Sequence, residues 1–107
     1  MIVLISTCSG MDQGRRLARE LVTGGLAACV NLVPAVGSVY RWEGQIQEDE
    51  ETLMVIKTAE QRAGEVTAWL QEHHPYDVPE VVALPVVGGS DRYLRWVTEA
   101  TAVGRQG

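Results

Sequence analysis

The sequence predicts an α+β fold, a βαββαβ sandwich with an extended hairpin and a further helix at its C-terminal end. Apolar, β-branched runs and segments of helical period follow one another in that order. The turn signal Glu43-Gly44 lies between two long strand-forming segments. The length, 107 residues, is that of one domain. We therefore expect a single ferredoxin-like domain over residues 1–107, with helices on one face of a four-stranded antiparallel sheet.

Four strands are predicted from short runs of strand-forming residues. Residues 2–8 (IVLISTC) are almost wholly apolar, which indicates a central strand buried on both faces. Residues 26–34 (LAACVNLVP) predict a second strand that ends or bends at its proline. Residues 36–58 predict the hairpin. In residues 79–87 (PEVVALPVV), Pro85 places the last strand near a sheet edge or close to its own end.

Three helices are predicted over residues 9–25, 58–74 and 90–102. Gly24-Gly25 is a stop signal for the first helix. The tail, residues 103–107, is expected to be frayed. The side chains expected to face inward are Leu17, Ala18, Leu21 and Val22 in the first helix, Ala63, Val66 and Leu70 in the second, and Tyr93, Leu94 and Val97 in the third.

Polar residues at the start of each helix are candidates for N-terminal caps. Ser9 or Asp12 could cap the first helix, and Ser90 could cap the third. Thr58 and Gln61 have the spacing of a capping box at the start of the second helix. Each of these side chains would satisfy backbone N–H groups that have no partner within the helix.

The composition is that of a globular protein with a weakly acidic surface. The net charge is −5, which argues against a nucleic-acid or anionic-membrane partner because both require a basic patch. The acidic run at residues 48–51 (EDEE) is either a solvated segment or a rim that attracts cations. The first residues resemble neither a signal peptide nor a membrane span, so we expect a cytoplasmic protein with Cys8 and Cys29 as free thiols.

The predicted hairpin is too long for a compact chain of this size. Each arm of about 15 residues would span roughly 50 Å, whereas a compact chain of this length has a diameter on the order of 35 Å. Tyr40 and Trp42 lie beside the turn, where a monomer would expose them unless they fold back onto their own sheet. Since a long exposed strand edge favours association, we expect an oligomer that pairs the overhanging hairpins, with Tyr40 and Trp42 at the interface.

Blocks of the sequence closely resemble the CutA divalent-cation tolerance family. The resemblance covers roughly residues 3–97 and implies a homotrimer of ferredoxin-like subunits that is associated with tolerance of copper and other divalent metals. No reaction is implied. The blocks that carry it, in this order and spacing, are LAACVNLVP (26–34), SVYRWEGQI (38–46), LMVIKT (53–58), HHPYDVPEVVALPV (73–86) and YLRWV (93–97).

The resemblance implies a divalent metal site, with copper as the candidate ion. It points to His73 and His74 together with a cysteine on the first strand, a position that Ser6 occupies here, with Cys8 two residues further along. Imidazole suits copper, zinc and nickel, but adjacent residues of a regular helix point about 100° apart. The pair can chelate one ion only if the helix unwinds before Pro75. The alternative is a helix exit whose histidines interact with the helix dipole.

A second candidate site, again implied by the resemblance, is a ligand cleft between subunits. Each of its residues also has an ordinary structural interpretation: a small buried thiol for Cys29, a strand-end charge for Lys57, and hydrogen-bonded loop residues for Tyr76 and Glu80. The candidate lining residues are Cys29, Lys57, Tyr76 and Glu80, together with Tyr40 and Trp42.

Motifs for catalysis are not found in the sequence. The glycines lack the spacing and the lysine of a phosphate loop, and there is no nucleophile elbow. We therefore predict a non-enzymatic homotrimer involved in divalent-metal tolerance, with metal binding as its means. The alternative is a trimeric signalling or scaffold protein whose clefts bind a small anionic ligand or a partner protein. An enzyme that uses the same cleft is a third alternative.

Overall fold

The computed structural model of this protein describes residues 1–102, so the predicted frayed tail lies outside the described residues. Within them the chain forms a four-stranded antiparallel sheet with the strand order β2-β3-β1-β4. The predicted α+β architecture is confirmed. The elements are β1 (Ile2–Cys8), α1 (Met11–Thr23), β2 (Cys29–Trp42), β3 (Gln45–Thr58), a 3-10 turn (Glu60–Arg62), α2 (Ala63–His73), β4 (Val82–Pro85) and α3 (Asp91–Ala100).

The hydrophobic core lies between the two central strands and the helices α1 and α2. Alternate residues of a strand point to opposite faces, and the even-numbered side chains from Leu4 to Cys8 in β1 and from Thr52 to Thr58 in β3 are all buried. The odd-numbered side chains of both strands lie on the other face, which we call the open face; most of them are half-buried. The central position of β1 is confirmed, but full burial on both faces is not seen in a single chain. The core includes Leu4, Met54 and Ile56 from the sheet and Leu17, Leu21, Val66 and Leu70 from the helices.

The helix boundaries agree with some of the predicted caps. Ser90 caps α3, its hydroxyl accepting a hydrogen bond from the Tyr93 amide at 3.4 Å. Gly25 ends α1 as predicted, with φ of 75°, a conformation that glycine adopts without steric cost. The predicted caps of α1 are wrong, because its N-cap is Gly10 with no side-chain hydrogen bond. The capping box at Thr58 is also wrong: Thr58 ends β3 and its hydroxyl donates to the Leu26 carbonyl at 2.7 Å.

Two side chains that were expected to face inward are exposed. Val22 of α1 and Tyr93 of α3 lie at the margins of their helical stripes and remain open to solvent. The buried residues of α1 are Gly14, Leu17 and Leu21, and a Cβ at Gly14 would lie 3.2 Å from both Cys8 Sγ and Leu32 Cδ2, so the helix packs tightly on the sheet there. The remaining inward-facing predictions are buried or half-buried.

The hairpin of β2 and β3 extends beyond the domain as predicted. Each strand has 14 residues, and the radius of gyration, 14.4 Å, exceeds the value of about 13 Å expected for a compact chain of this length. Glu43 and Gly44, with φ of 51° and 77°, form the two-residue turn that suits the twist of a hairpin. The bend predicted at Pro34 is a β-bulge between Val33 and Val36.

Candidate functional site

A cleft of about 730 Å³ lies between the outer half of the hairpin and the loop that follows α2. The hairpin contributes Tyr40 and Trp42 from β2. The loop after α2 contributes Tyr76 and Glu80, and β1 contributes Thr7. Four of the residues predicted to line a cleft, Tyr40, Trp42, Tyr76 and Glu80, are therefore brought together within one chain.

The bulge in β2 decides which of its side chains reach the cleft. Before the bulge Val33 pairs with Leu53, so odd-numbered residues of β2 share the open face. After the bulge Val36 pairs with Glu51, so the even-numbered residues of β2 lie on that face instead. The one extra residue thus places Tyr40 and Trp42 on the same side of the hairpin as Glu51.

Two tyrosines of the cleft are held by carboxylates of β3. The Tyr76 hydroxyl donates to Glu51 Oε2 at 2.8 Å, and the Tyr40 hydroxyl donates to Asp49 Oδ2. Burial, and then the hydrogen bond to Glu51 and its negative charge, raise the pKa of Tyr76. The hydrogen bond to Asp49 is the main cause that raises the pKa of Tyr40. Both phenols therefore remain protonated donors at neutral pH, and their rings are fixed in orientation.

His74 links the loop after α2 to the end of β1. Only 6% of the residue is exposed. Its Nε2 lies 2.8 Å from the Thr7 carbonyl oxygen, and its Nδ1 lies 3.1 Å from the Tyr76 amide nitrogen. Because a carbonyl only accepts and an amide N–H only donates, the ring is the neutral tautomer with its proton on Nε2. Both nitrogens are therefore occupied, and the ring also packs against Tyr76 with centroids 4.6 Å apart.

His73 makes a separate set of contacts on the surface of α2. Its Nδ1 donates to the Trp69 carbonyl at 2.9 Å, and its ring stacks on the Trp69 indole with centroids 4.4 Å apart. The helix ends at His73, and His74 is extended, as expected before Pro75. In this arrangement the two imidazoles do not fit one shared metal ion, because His74 has no free nitrogen. A metal site that uses both residues stays a prediction and requires His74 to leave its partners.

The two residues of the first strand that were considered for the metal site, Ser6 and Cys8, lie in the core. Cys8 and Ser6 share the helix-facing side of β1 and are fully buried. Burial is the main cause that raises the pKa of the Cys8 thiol, which disfavours the thiolate that binds metals. The Ser6 hydroxyl has no hydrogen-bond partner among the described residues. Within residues 1–102, no three His, Cys, Asp or Glu side chains are grouped so that they could hold a metal ion.

The other two residues predicted for the cleft lie outside it. Cys29 and Lys57 are paired across β2 and β3, at the end of the hairpin opposite to its turn. The Lys57 ammonium lies 3.3 Å from the Tyr93 hydroxyl and 5.3 Å from the centre of that ring. The Cys29 thiol lies 3.9 Å from the Asn31 side chain. Within one chain, the predicted set is therefore divided between two places on the open face.

Three acidic residues of the cleft, Asp49, Glu51 and Asp77, were not among the predicted lining residues. Two of them belong to the acidic run of residues 48–51, whose interpretation as a cation-attracting rim the cleft favours. The signal that could have found them is the period of two in a strand. It separates Asp49 and Glu51, which face the cleft, from the residues on either side of them.

The sequence of residues 2–100 matches the family of the CutA1 divalent ion tolerance protein. The chain belongs to this family. The chain is 47% identical over 100 residues to the chloroplastic CutA protein of Arabidopsis thaliana, covering 94% of this chain and 55% of that protein. It is 41% identical to the divalent-cation tolerance protein CutA of Thermus thermophilus, covering 92% of this chain and 96% of that protein. The crystal structure of CutA1 from Oryza sativa matches with a TM-score of 0.91 at 45% identity, covering 95% and 94% of the two chains.

These CutA1 relatives differ in length and in location. The chain spans about half the length of the plant and mammalian relatives that it matches. Plant members are named as chloroplastic, so the expected cytoplasmic location of this chain stays a prediction. No helix within residues 1–102 combines the length and apolar character needed to cross a membrane.

Proposed function

We propose that this CutA1-family chain takes part in divalent-cation tolerance as a non-catalytic homotrimer. The observation that supports the assembly is the open face of the sheet. An apolar sheet face that neither α1 nor α2 covers must be buried against another element. The number of subunits, three, comes from the family resemblance described above.

The open face is apolar around the middle of the sheet, where β4, β1 and the inner part of the hairpin meet. Val82 and Leu84 of the edge strand β4 are 48% and 45% exposed in the single chain, and Val33 of β2 is exposed to a similar degree. Between them lie the half-buried side chains of Ile5, Leu53 and Val55, which are joined by the pairing of β1 with β3. A second copy that covers this face removes the apolar side chains from water. This burial stabilises the oligomer by about 25 cal/mol per Å² of apolar surface. Hydrophobic burial therefore favours the oligomer.

We propose that this chain binds metal ions only weakly. His73 keeps Nε2 as an acceptor, and it is the exposed member of the histidine pair. One imidazole supplies one ligand, whereas protein sites for zinc or copper use three or four. The contribution to tolerance therefore does not depend on a tight site made by His73 and His74.

A second candidate function uses the cleft as a binding site in a signalling or scaffold trimer. Its volume is that of a small-molecule site. Four of the predicted cleft residues line it, and Lys57 and Cys29 of a neighbouring copy are the residues that the trimer would have to bring to it. A partner protein or an anionic ligand stays a prediction, and the acidic wall formed by one chain favours a cation.

The assembly is tested by sedimentation equilibrium at micromolar concentration. We expect a trimer for the wild-type chain and dissociation for Leu84→Glu, which places a charge on the open face. Val87→Glu is the matched control, because Val87 is fully exposed outside the sheet. A wild-type chain that is folded and monomeric at this concentration would contradict the proposal.

Metal binding is tested by calorimetric titration with copper and zinc. The role in tolerance is tested by growth in the presence of copper. We expect weak binding that decreases in His73→Ala. Expression of the chain should restore copper tolerance to a bacterial strain that lacks its own CutA, and the His73→Ala variant should restore it equally well. Tight binding that requires His74, or failure of the wild-type chain to restore growth, would contradict the proposal.

A further inference from the structure

We infer that Ala35 is a positioning residue for the assembly, because the extra residue in β2 selects which side of the hairpin meets the neighbouring copy. The inference rests on the proposed assembly and deepens it, since it names the residue that gives the interface its side. The segment concerned is the outer hairpin, residues 36–51, which lies beyond the end of β1 in the sheet.

The bulge lies where the four-stranded sheet becomes a two-stranded hairpin. From Val33 to Val36 the strand β2 advances three residues, whereas its partner β3 advances two. The residue of β3 opposite the bulge is Thr52, which pairs on its other side with Cys8, the last residue of β1. Because this pairing keeps β3 regular, the extra residue is accommodated by β2 alone.

Two neighbouring residues confine the irregularity to one place. Pro34 has no N–H to donate to a ladder, and proline within a sheet is found at edge strands and bulges. Ala35 has φ of 60°, a left-handed conformation that an alanine adopts only at a steric cost. The proline therefore disfavours a regular ladder, and Ala35 takes the unusual conformation that results.

The outer hairpin has no core that could select its face. Inside the sheet, burial against α1 and α2 decides which side chains point inward, so a slip by one residue is costly there. Beyond β1 one side of the hairpin carries Tyr40 and Trp42 and the other carries Val39 and Ile46, and these four residues are 42% to 67% exposed. Apolar side chains on both sides leave the choice of face to the bulge.

The selected side continues the apolar open face. With the bulge, Tyr40 and Trp42 lie on the same side of the hairpin as Leu53 and Val55. A copy that covers the open face therefore extends directly onto the two aromatic rings. In a regular ladder every residue of β2 beyond the bulge would move by one place, and Tyr40 would lie opposite Ile46 on the reverse side.

The test compares two variants that both remove the bulge. Pro34→Val/Ala35→Val keeps the chain length and favours a regular ladder, because valine has an N–H and avoids the left-handed conformation. The hairpin can then close through a three-residue loop containing Gly44, a form that hairpins also use. The matched control is Pro34→Val with Ala35 deleted. It also forms a regular ladder, but every pairing of the outer hairpin is kept and Tyr40 stays on the open side.

The first measurement is sedimentation equilibrium of the full-length protein. Wild type, Ala35→Gly and the deletion control should be trimers, and glycine takes the left-handed conformation without steric cost. Pro34→Val/Ala35→Val should raise the dissociation constant by about 30-fold or more, as expected when central aromatic side chains leave an interface. Equal dissociation constants for this double variant and the deletion control would overturn the inference.

The second measurement reports the side directly through thiol labelling. It uses a Cys29→Ser background, in which the remaining native thiol, Cys8, is fully buried. Ser38→Cys lies on the side of Tyr40 and should react more slowly than Val39→Cys on the reverse side. The protection of Ser38→Cys should be lost when the two valines are also present. Equal reaction rates of the two cysteines in the protein that retains the bulge would also overturn the inference.

Failure here can be told apart from failure of the proposed function. A wild-type trimer whose dissociation constant is unchanged by Pro34→Val/Ala35→Val contradicts only the role of Ala35. A wild-type chain that is monomeric contradicts the proposed assembly and this inference with it.

Discussion

The adjacent histidines offer the sharpest test of the structure, because the two residues have different partners. Replacing His74 by alanine leaves the buried Thr7 carbonyl and the Tyr76 amide without their hydrogen bonds. Each group left unsatisfied in the interior costs about 1–3 kcal/mol, so we expect a loss of about 2–6 kcal/mol in the free energy of unfolding. His73→Ala removes one contact on an exposed surface and should cost less than about 1 kcal/mol.

The measurement is guanidinium hydrochloride unfolding of both variants at one fixed protein concentration, since association affects stability. His74→Gln is a second variant, because its amide can still donate toward Thr7, and its loss should be intermediate. A parallel copper titration distinguishes the roles of the pair. Equal destabilisation by His73→Ala and His74→Ala, together with equal loss of tight copper binding, would refute the structural role of His74.

Three further predictions concern stability and use the same unfolding assay. Ser6→Ala should stabilise the protein by about 1–2 kcal/mol, because it removes a buried hydroxyl that has no partner among the described residues; a loss would show that the hydroxyl is satisfied. Arg62→Ala should cost about 1–3 kcal/mol, because its guanidinium donates to the carbonyls of Thr101 and Ala102 at 3.0 and 3.3 Å and so ties the end of α3 to α2. The control for Arg62→Ala is Arg16→Ala, which breaks an exposed pair with Glu20 and should change stability by less than about 0.5 kcal/mol. Because the pKa of Tyr76 is raised in the folded protein, the Tyr76 hydroxyl loses its proton at a lower pH in the unfolded chain than in the folded one. The contribution of Tyr76 to the free energy of unfolding is therefore complete below about pH 10 and decreases above it. Wild type should therefore lose stability more steeply above pH 10 than Tyr76→Phe, and parallel curves would contradict the assignment.

The cleft and the histidine pair are joined through one side chain. His74 accepts the amide hydrogen bond of Tyr76, whose hydroxyl reaches Glu51 on the cleft wall. A substitution at His74 therefore disturbs the cleft even though the histidine does not line it. We therefore expect His74→Ala to alter the cleft whether or not His74 is a metal ligand.

Much of the fold follows from local patterns in the sequence. The order of strands and helices, the hairpin turn at Glu43-Gly44, the end of α1 at Gly25 and the cap of α3 at Ser90 were all predicted and are confirmed. Each depends on residues within a few positions of one another, through hydrophobic period, turn chemistry or capping. The wrong cap of α2 arises where a more distant contact prevails, because Thr58 pairs in β3 and donates to the Leu26 carbonyl.

The sequence by itself determined which elements form and which residue types are available near the hairpin and the helix exit. Only the tertiary structure decided which of those side chains meet. Counting by twos along β2 from Val33 places Tyr40 on the wrong face, and the bulge corrects the count. Thr7 and His74 are 67 residues apart in the chain, and Glu51 and Tyr76 are 25 apart. The physical reason is that such contacts depend on strand register and on the packing of loops over the sheet, which no local period encodes.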